Sequence, residues 1–146
     1  MSLPRRMRDT ARLIVLDEAH RLLLFRYDDA GRAWWATPGG GLEAGETFEA
    51  AARREAGEEL GVTDVTLVTL WRETAEFEAR GELLSQTEQF FLVVAREAIH
   101  LDDAVRDAHV LEGILEARWW SLTELAAAAN VFPESLAERV RAVIAA

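Results

Sequence analysis

Three glutamates in one predicted helix carry the clearest chemical signal in the sequence. Glu55, Glu58 and Glu59 stand at positions i, i+3 and i+4, so their carboxylates fall on one face of a helix. Three like charges this close repel one another, and a divalent cation would resolve the repulsion because magnesium and manganese take hard oxygen ligands. Ala51 and Ala52, one turn earlier, would leave room for a hydrated metal. The spacing predicts a Mg²⁺ or Mn²⁺ site; the alternative is a solvated acidic face.

A run of three glycines precedes this helix. Gly39, Gly40 and Gly41 expose carbonyl and N–H groups that no side chain obstructs. The Gly40 carbonyl could complete the shell of the metal, while the N–H groups of Gly39 and Gly41 could meet phosphate oxygens. Arg26, on the predicted strand before the run, could also meet a phosphate, a surface arginine being the alternative. Together these groups predict a site in which a metal bridges phosphate oxygens.

The composition excludes several other kinds of chemistry. The chain of 146 residues has no cysteine and no lysine, which removes disulfides, thiolate zinc sites, lysine Schiff bases and any phosphate loop that ends in lysine. Its net charge of −10 argues against a broad nucleic-acid-binding surface. No apolar run approaches the length of a membrane span. We therefore expect a cytoplasmic protein that binds neither nucleic acid nor membrane.

The predicted helix runs from Thr47 to Leu60, and its ends have recognisable caps. Thr47 suits the N-cap, and Gly61 suits the C′ position, where a left-handed residue is favoured. Upstream, two β-favouring runs, Arg12–Leu16 and Arg21–Tyr27, are separated by four turn-forming residues and predict a hairpin. The acidic helix is thus expected to follow two strands and the glycine run.

The remaining elements complete one mixed α/β domain over residues 1–146. Strands are predicted at Val65–Phe77, Gln86–Arg96 and Glu116–Trp120, a loop or short helix at His100–Glu112, and helices at Leu122–Ala129 and from Pro133 to about Ala146. No repeat, linker or low-complexity tract divides the chain.

The glycine run and the acidic helix together resemble the Nudix box at every defined position. The matching residues are Gly40, Glu46, Arg54, Glu55, Glu58, Glu59, Leu60, Gly61 and Val62. The lead-in Trp35–Gly40 and the later segment Trp119–Leu125 also resemble the family, and the resemblance extends over about Arg12 to Leu125.

Fold and metal ligands follow from this resemblance as expectations. It implies an α/β/α sandwich with a mixed β-sheet, in which the box forms a loop-helix-loop. Glu58 and Glu59 would be metal ligands, with Glu55 a ligand or the base that activates water. The carbonyl of Gly39 or Gly40 would be another ligand.

The resemblance also gives two box residues a supporting role. Arg54 would orient Glu55 through a charge-assisted hydrogen bond. Glu46 would hold the loop or the arginine; a favourable charge at the helix start is its alternative.

The implied reaction is hydrolysis of a nucleoside diphosphate linked to a moiety X, giving a nucleoside monophosphate and phosphorylated X with Mg²⁺ or Mn²⁺ as cofactor. Relatives commonly recruit a further acid from a distal loop, which predicts Glu112, with Glu116 and Glu88 as rivals; the alternative for each is a surface or strand-edge charge. Trp34, Trp71 and Phe91 could stack on a base, core packing being their alternative. The residues leave X open.

Two other functions on the same fold compete with hydrolysis. A non-catalytic nucleotide-sensing module commonly lacks one of the acids, whereas Glu55, Glu58 and Glu59 are all present. An isoprenoid-diphosphate isomerase would use a cysteine, which this chain lacks. The expected partner is a small-molecule nucleotide. Homodimers are common in the family, but the sequence does not decide the oligomeric state.

Overall fold

The computed structural model describes residues 5–29, 31–79, 81–95, 99, 101, 106, 107, 109, 110 and 113–146. These residues form strands, in two sheets, and helices. The strands are β1 (Arg5–Ile14), β2 (Leu22–Asp29), β3 (Arg32–Ala36), β4 (Gly39–Gly41), β5 (Val65–Ala79), β6 (Glu82–Ala95), β7 (Glu116–Trp120) and β8 (Val131–Phe132). The helices are α1 (Phe48–Glu55), which continues into a π-helical turn (Ala56–Leu60), α2 (Leu122–Ala127) and α3 (Leu136–Ala145).

Both sheets are mixed, which confirms the predicted α/β class. The first sheet has the order β4-β1-β6-β5, with β1 parallel to β6 and the other pairs antiparallel. The second has the order β7-β2-β3-β8, with β3 parallel to β8. The apolar side of α1 shares one core cluster with residues of both sheets, which fixes the helix beside the glycine strand β4.

The predicted hairpin between Arg12–Leu16 and Arg21–Tyr27 forms only at its tip, where Leu23 N–H donates to the Val15 carbonyl and Asp17 N–H to the Arg21 carbonyl, each at 3.0 Å. The chain does turn there, with the Asp17 side chain accepting the N–H of Arg21 at 2.7 Å. However, β1 enters the first sheet and β2 enters the second, and a single bridge from Leu16 to Leu22 connects the two segments. The alternation of apolar and polar residues predicts a strand but does not identify the strand that pairs with it. Here β1 pairs with β6, which lies far along the chain.

The predicted helix is correct at both ends. The Thr47 hydroxyl accepts the N–H of Ala50 at 3.0 Å, and Gly61 closes the helix with a φ of 69°. The sequence did not indicate that the last five residues, Ala56–Leu60, would widen into a π-helical turn. Such turns are rare and occur often at functional sites. Here the turn contains Glu58 and Glu59.

The other elements agree with the predictions in kind and differ in their bounds. β5 and β6 form the predicted antiparallel pair, and Ser121 forms a capping box with Glu124 at the start of α2. The terminal helix begins at Leu136 because the residues before Pro133 pair with β3 as β8. Of the segment His100–Glu112, residues 106–107 and 109–110 are helical; Arg96, His100 and Glu112 lie outside the described residues. In the described part of the chain, no helix is long and apolar enough to cross a membrane.

Candidate active site

A cleft of about 470 Å³ lies where the glycine strand, the N-terminal strand and the acidic helix meet. We call it the acidic cleft. Its lining residues are Arg8, Arg12, Tyr27, Trp34, Ala36, Gly39, Gly40, Gly41, Glu43, Arg54, Glu55, Glu58 and Glu59. A loop separates the glycine run from the box glutamates in the sequence. Both nevertheless line the same cleft.

The helix presents its three glutamates to the cleft at different depths. Glu55 and Glu59 are buried, with 5% and 2% of their surfaces exposed, whereas 44% of the Glu58 side chain is exposed. Ala51 and Ala52 are fully buried in the core, so the expectation that they leave room for a hydrated metal is wrong. Their small side chains let the helix pack closely enough to bury two carboxylates.

The glycine strand holds the Glu59 carboxylate. The Gly39 N–H donates to Glu59 Oε2 at 3.0 Å. Burial and the neighbouring Glu55 carboxylate nevertheless raise the pKa of Glu59 to about 9. Gly39 has a φ of 134°, and a Cβ there would lie 2.1 Å from the Ala11 carbonyl oxygen. Only glycine can therefore bring its N–H to this carboxylate.

Arg54 forms the centre of the acidic cluster. Its guanidinium donates to both oxygens of Glu46, at 2.9 and 2.8 Å, and to Glu55 Oε1 at 3.0 Å. It also donates to the Gly41 carbonyl at 3.1 Å, which joins the helix to the glycine strand. The hydrogen bonds from Arg54 lower the pKa of Glu46 to about 2. Arg54 thus lies where it orients Glu55, and Glu46 lies where it holds Arg54.

The donor set suits a hard divalent cation. Glu55 Oε2 is buried and has no hydrogen-bond partner among the described residues, so it is an acceptor that a bound cation could satisfy. A Cβ at Gly40 would lie 2.6 Å from Glu55 Oε1, and the missing side chain leaves the Gly40 backbone open to the cleft. Carboxylate and carbonyl oxygens are the ligands that Mg²⁺ and Mn²⁺ prefer.

The acids are not arranged as a finished metal site. Among the described residues, no group of three or more carboxylates and imidazoles is arranged to hold a metal ion. Arg54 Nη1 lies 3.0 Å from Glu55 Oε1 and 3.4 Å from Glu58 Oε2. The guanidinium therefore neutralises part of the charge that a metal would neutralise, and metal binding would require Glu58 to exchange partners.

Two arginines that the sequence interpretation missed line the acidic cleft. Arg8 and Arg12 both lie on β1 at even spacing, so their side chains share a face. Burial and the nearby Arg12 and Arg6 guanidinium groups lower the pKa of Arg8. The period-two row of Arg6, Arg8 and Arg12 was a usable signal, but the predicted strand began only at Arg12. Two converging cations suit an anionic ligand.

Three other candidate residues, Arg26, Glu88 and Glu116, do not line the acidic cleft. Arg26 pairs with Glu116 at 3.0 Å and does not line it, because alternate residues of β2 point to opposite faces and Tyr27 faces the cleft. Glu88 pairs with Arg12 at 2.8 Å. Glu112 lies outside the described residues.

Of the three aromatic residues that could stack on a base, one lies in the cleft wall. Trp34 lines the acidic cleft and stacks on Tyr27 with ring centroids 5.6 Å apart. Trp71 stacks on Phe90 with centroids 4.2 Å apart. Phe91 is buried in the core beside α1. Core packing therefore accounts for the last two residues.

Comparison with known proteins agrees with this geometry. The NUDIX domain model matches residues 6–140. The nucleoside triphosphatase NudI of Enterobacter sp. (strain 638) is 40% identical over 60 residues, which cover 40% of this chain and 43% of NudI. The chain spans less than half the length of the curated relatives it matches, 43% in one case and 29% in another.

Solved structures share the fold at low sequence identity. The MutT NUDIX hydrolase from Burkholderia pseudomallei superimposes with a TM-score of 0.69 at 22% identity, covering 92% of this chain and 98% of that one. The E. coli dihydroneopterin triphosphate pyrophosphohydrolase gives a TM-score of 0.64 at 24% identity, covering 94% and 96%. The family model, the fold and the complete acidic motif lead to one conclusion: the chain belongs to the Nudix family.

Proposed function

We propose that the protein is a Nudix pyrophosphohydrolase that uses Mg²⁺ or Mn²⁺. It hydrolyses a pyrophosphate bond in a nucleoside diphosphate linked to another moiety, releasing a nucleoside monophosphate and the phosphorylated moiety. One observation supports this most directly: the buried Glu55 and Glu59 carboxylates share a cleft with Arg8 and Arg12. The acids suit a metal and a water molecule, and the arginines suit phosphate oxygens.

Glu55, Glu58, Glu59 and the Gly40 carbonyl would hold the metal. When bound, the metal would neutralise the charge of the diphosphate and lower the pKa of the attacking water. Glu59 is the best placed of these ligands, because the Gly39 N–H already fixes one of its oxygens at 3.0 Å. Glu58, which is exposed, can turn towards a ligand with little loss of packing.

Glu55 is the residue that we propose as the general base. Arg54 fixes Glu55 Oε1 at 3.0 Å, and Glu55 Oε2 has no hydrogen-bond partner in the described part of the chain. One oxygen is therefore oriented while the other is able to accept a proton from water. With Glu55 as the base and a bound metal supplying Lewis-acid chemistry, water itself would be the nucleophile, and no covalent intermediate would be needed.

A nucleoside triphosphate is the substrate class that we propose to test first. A second cavity of about 580 Å³, which we call the side cleft, shares Arg12, Trp34 and Ala36 with the acidic cleft. Its other lining residues are Ala75, Glu76, Gln86, Glu88 and Phe132. Phosphates beside Arg8 and Arg12 would leave the rest of the nucleotide facing this cavity. NudI is named a nucleoside triphosphatase, which supports the same choice.

The test is a substrate panel assayed with Mg²⁺ and with Mn²⁺. Added phosphatase detects the products of substrates that have no terminal phosphate, and inorganic pyrophosphatase detects the pyrophosphate released from triphosphates. The panel includes ordinary and oxidised nucleoside triphosphates, nucleotide sugars, ADP-ribose, NADH and dinucleoside polyphosphates. We expect turnover of at least one class and a loss of at least about a hundredfold in kcat for Glu59→Gln. Glu49→Gln is the matched control, since Glu49 lies on the same helix but pairs with Arg53 outside the cleft.

A non-catalytic nucleotide-sensing module is the second candidate. The observation that favours it is that Arg54 contacts both Glu55 and Glu58, so a cation of the chain itself balances part of the acidic charge. A sensor would bind a nucleotide and turn over none of the panel. Absence of hydrolysis with either metal, together with measurable nucleotide binding, would replace the proposed activity with this one.

A further inference from the structure

The end of the acidic helix carries a contact that the proposed mechanism does not use. The last carbonyl groups of a helix have no partner within it. Here the N–H groups of Gly61 and Val62 donate hydrogen bonds to the carbonyls of Gly57 and Ala56, at 3.2 and 3.3 Å respectively. The Glu59 carbonyl accepts neither of these hydrogen bonds. Instead, Nε2 of His109 lies 2.6 Å from the Glu59 carbonyl oxygen.

His109 is held in a defined orientation. It is buried, with 5% of its surface exposed, and its ring lies 4.7 Å from the ring of Phe25 in the second sheet. Its own carbonyl accepts the N–H of Ile114 at 2.8 Å. A carbonyl oxygen only accepts hydrogen bonds, so Nε2 must carry the hydrogen and donate it to Glu59.

Glu59 is consequently fixed at two points. Its side chain accepts the N–H of Gly39 at 3.0 Å, and its backbone carbonyl accepts the hydrogen bond from His109 at 2.6 Å. The first contact positions the carboxylate against the glycine strand. The second fixes the π-helical turn from which that carboxylate extends.

We propose that His109 is a positioning residue for Glu59. By donating to the Glu59 carbonyl, it holds the π-helical turn in the register that places the Glu59 carboxylate beside Gly39 and Gly40. This inference rests on the proposed function, because it assigns Glu59 to the metal. Residues that orient metal ligands without touching the metal typically contribute ten- to hundredfold in metal affinity or activity.

A histidine that merely fills core space would behave differently on substitution. His109→Gln keeps a donor near the position of Nε2, whereas His109→Leu keeps apolar bulk and removes the donor. Under the proposal, His109→Leu weakens Mn²⁺ binding and lowers kcat, each by about tenfold or more, with little change in KM. His109→Gln remains within about threefold of wild type in both quantities.

The measurements are Mn²⁺ affinity by electron paramagnetic resonance, steady-state kinetics, and circular dichroism to verify folding. Equal losses in the two variants would assign His109 to packing, and unchanged Mn²⁺ affinity in a folded His109→Leu would overturn the proposal. If wild type hydrolyses nothing but binds Mn²⁺ and His109→Leu does not, the proposed activity fails while the positioning role stands.

A measurement on the wild-type protein covers the case in which His109→Leu does not fold. Long-range ¹H–¹⁵N spectra of the imidazoles report which ring nitrogen carries hydrogen. We expect His109 to show a protonated Nε2 whose hydrogen exchanges slowly with water, because the group is buried and bonded. A neutral ring with its hydrogen on Nδ1 would overturn the proposal without any variant.

Discussion

A Cβ atom at Gly40 would lie 2.6 Å from Oε1 of Glu55, so the backbone of one residue and the carboxylate of the other occupy adjoining space. The same oxygen accepts a hydrogen bond from Arg54 at 3.0 Å, and Glu55 is buried. The carboxylate therefore has little room to move aside. Glycine is required at position 40 by the acid that faces it.

Gly40→Ala should lower kcat by at least about tenfold, because the added methyl group would displace an oriented base or ligand. Gly57→Ala is the matched control, since a Cβ there meets nothing nearer than the Val62 carbonyl oxygen at 3.9 Å. We expect the control to keep full activity. Steady-state kinetics with saturating Mg²⁺ check both variants, and full activity in Gly40→Ala would contradict the tight contact.

Gly39→Ala should destabilise the fold itself. The new methyl group would meet backbone atoms, including the Ala11 carbonyl oxygen at 2.1 Å, at a φ of 134°. Backbone cannot move aside as a side chain can, so we expect a loss of roughly 3 kcal/mol or more in the free energy of unfolding. Urea denaturation measures this loss. An unchanged urea midpoint of unfolding would contradict the prediction, because it would mean that β1 and β4 can move apart to fit the methyl group with little loss of stability.

Arg54→Lys should impair catalysis although the charge is kept. Arg54 contacts both oxygens of Glu46, Glu55 Oε1 and the Gly41 carbonyl, and a lysine cannot reproduce this planar set. We expect kcat to fall by about tenfold or more. Arg53→Lys is the control, because Arg53 contacts Glu49 and the Val65 carbonyl and does not line the acidic cleft. Equal rates in the two variants would mean that only the charge at position 54 matters.

The metal-free protein should lose stability as the pH rises. Burial and the neighbouring Glu55 carboxylate raise the pKa of Glu59 from 4.5 to about 9. Between these values the folded protein keeps a proton that the unfolded chain has released. The stabilising contribution of the protonated group is therefore fully present below about pH 4.5 and is lost as the pH rises towards about 9.

Glu59→Gln removes this titration and keeps an acceptor for the Gly39 N–H. In the presence of a chelator, its Tm should rise relative to wild type as the pH increases from about 5 to about 8. Saturating Mg²⁺ should stabilise wild type at the higher pH and have a much smaller effect on the variant. Parallel Tm profiles of the two proteins in the chelator would contradict the raised pKa.

Arg8→Gln should raise KM more than it lowers kcat. Arg8 lines the acidic cleft beside Gly41, and its charge would attract substrate phosphates before and during reaction. We expect KM to rise by about tenfold. Arg26→Gln tests the arginine that the sequence favoured; because Arg26 pairs with Glu116 outside the cleft, we expect KM to stay within about twofold. A larger change in KM for Arg26→Gln would restore the original assignment.

The parts of the site that were predictable are local in sequence. Thr47 and Gly61 cap the acidic helix from within a few residues, and the spacing of Glu55, Glu58 and Glu59 follows from helical geometry. Both signals are readable without knowledge of the rest of the chain. The π-helical turn was not predictable, because it depends on contacts at the helix end rather than on intrinsic preference.

The parts that were missed depend on distant pairing. β1 begins at Arg5 because its polar N-terminal half pairs with β6, from Leu83 onwards, and no local pattern reveals such a partner. Arg8 lies in this N-terminal half of β1 and lines the acidic cleft, so it was missed together with that half of the strand. His109 contacts a carbonyl 50 residues away, and a lone histidine carries no periodic signal.

The side cleft draws its walls from strands and takes none of its described lining residues from α1. Under the proposed function, bond cleavage and substrate choice would therefore depend on different parts of the molecule, which meet at Arg12, Trp34 and Ala36. Phe132, Ala75 and Gln86 lie outside the acidic cleft. Under the proposed function, mutations at these three positions would change the substrate preference during evolution while the proposed catalytic acids stay unchanged.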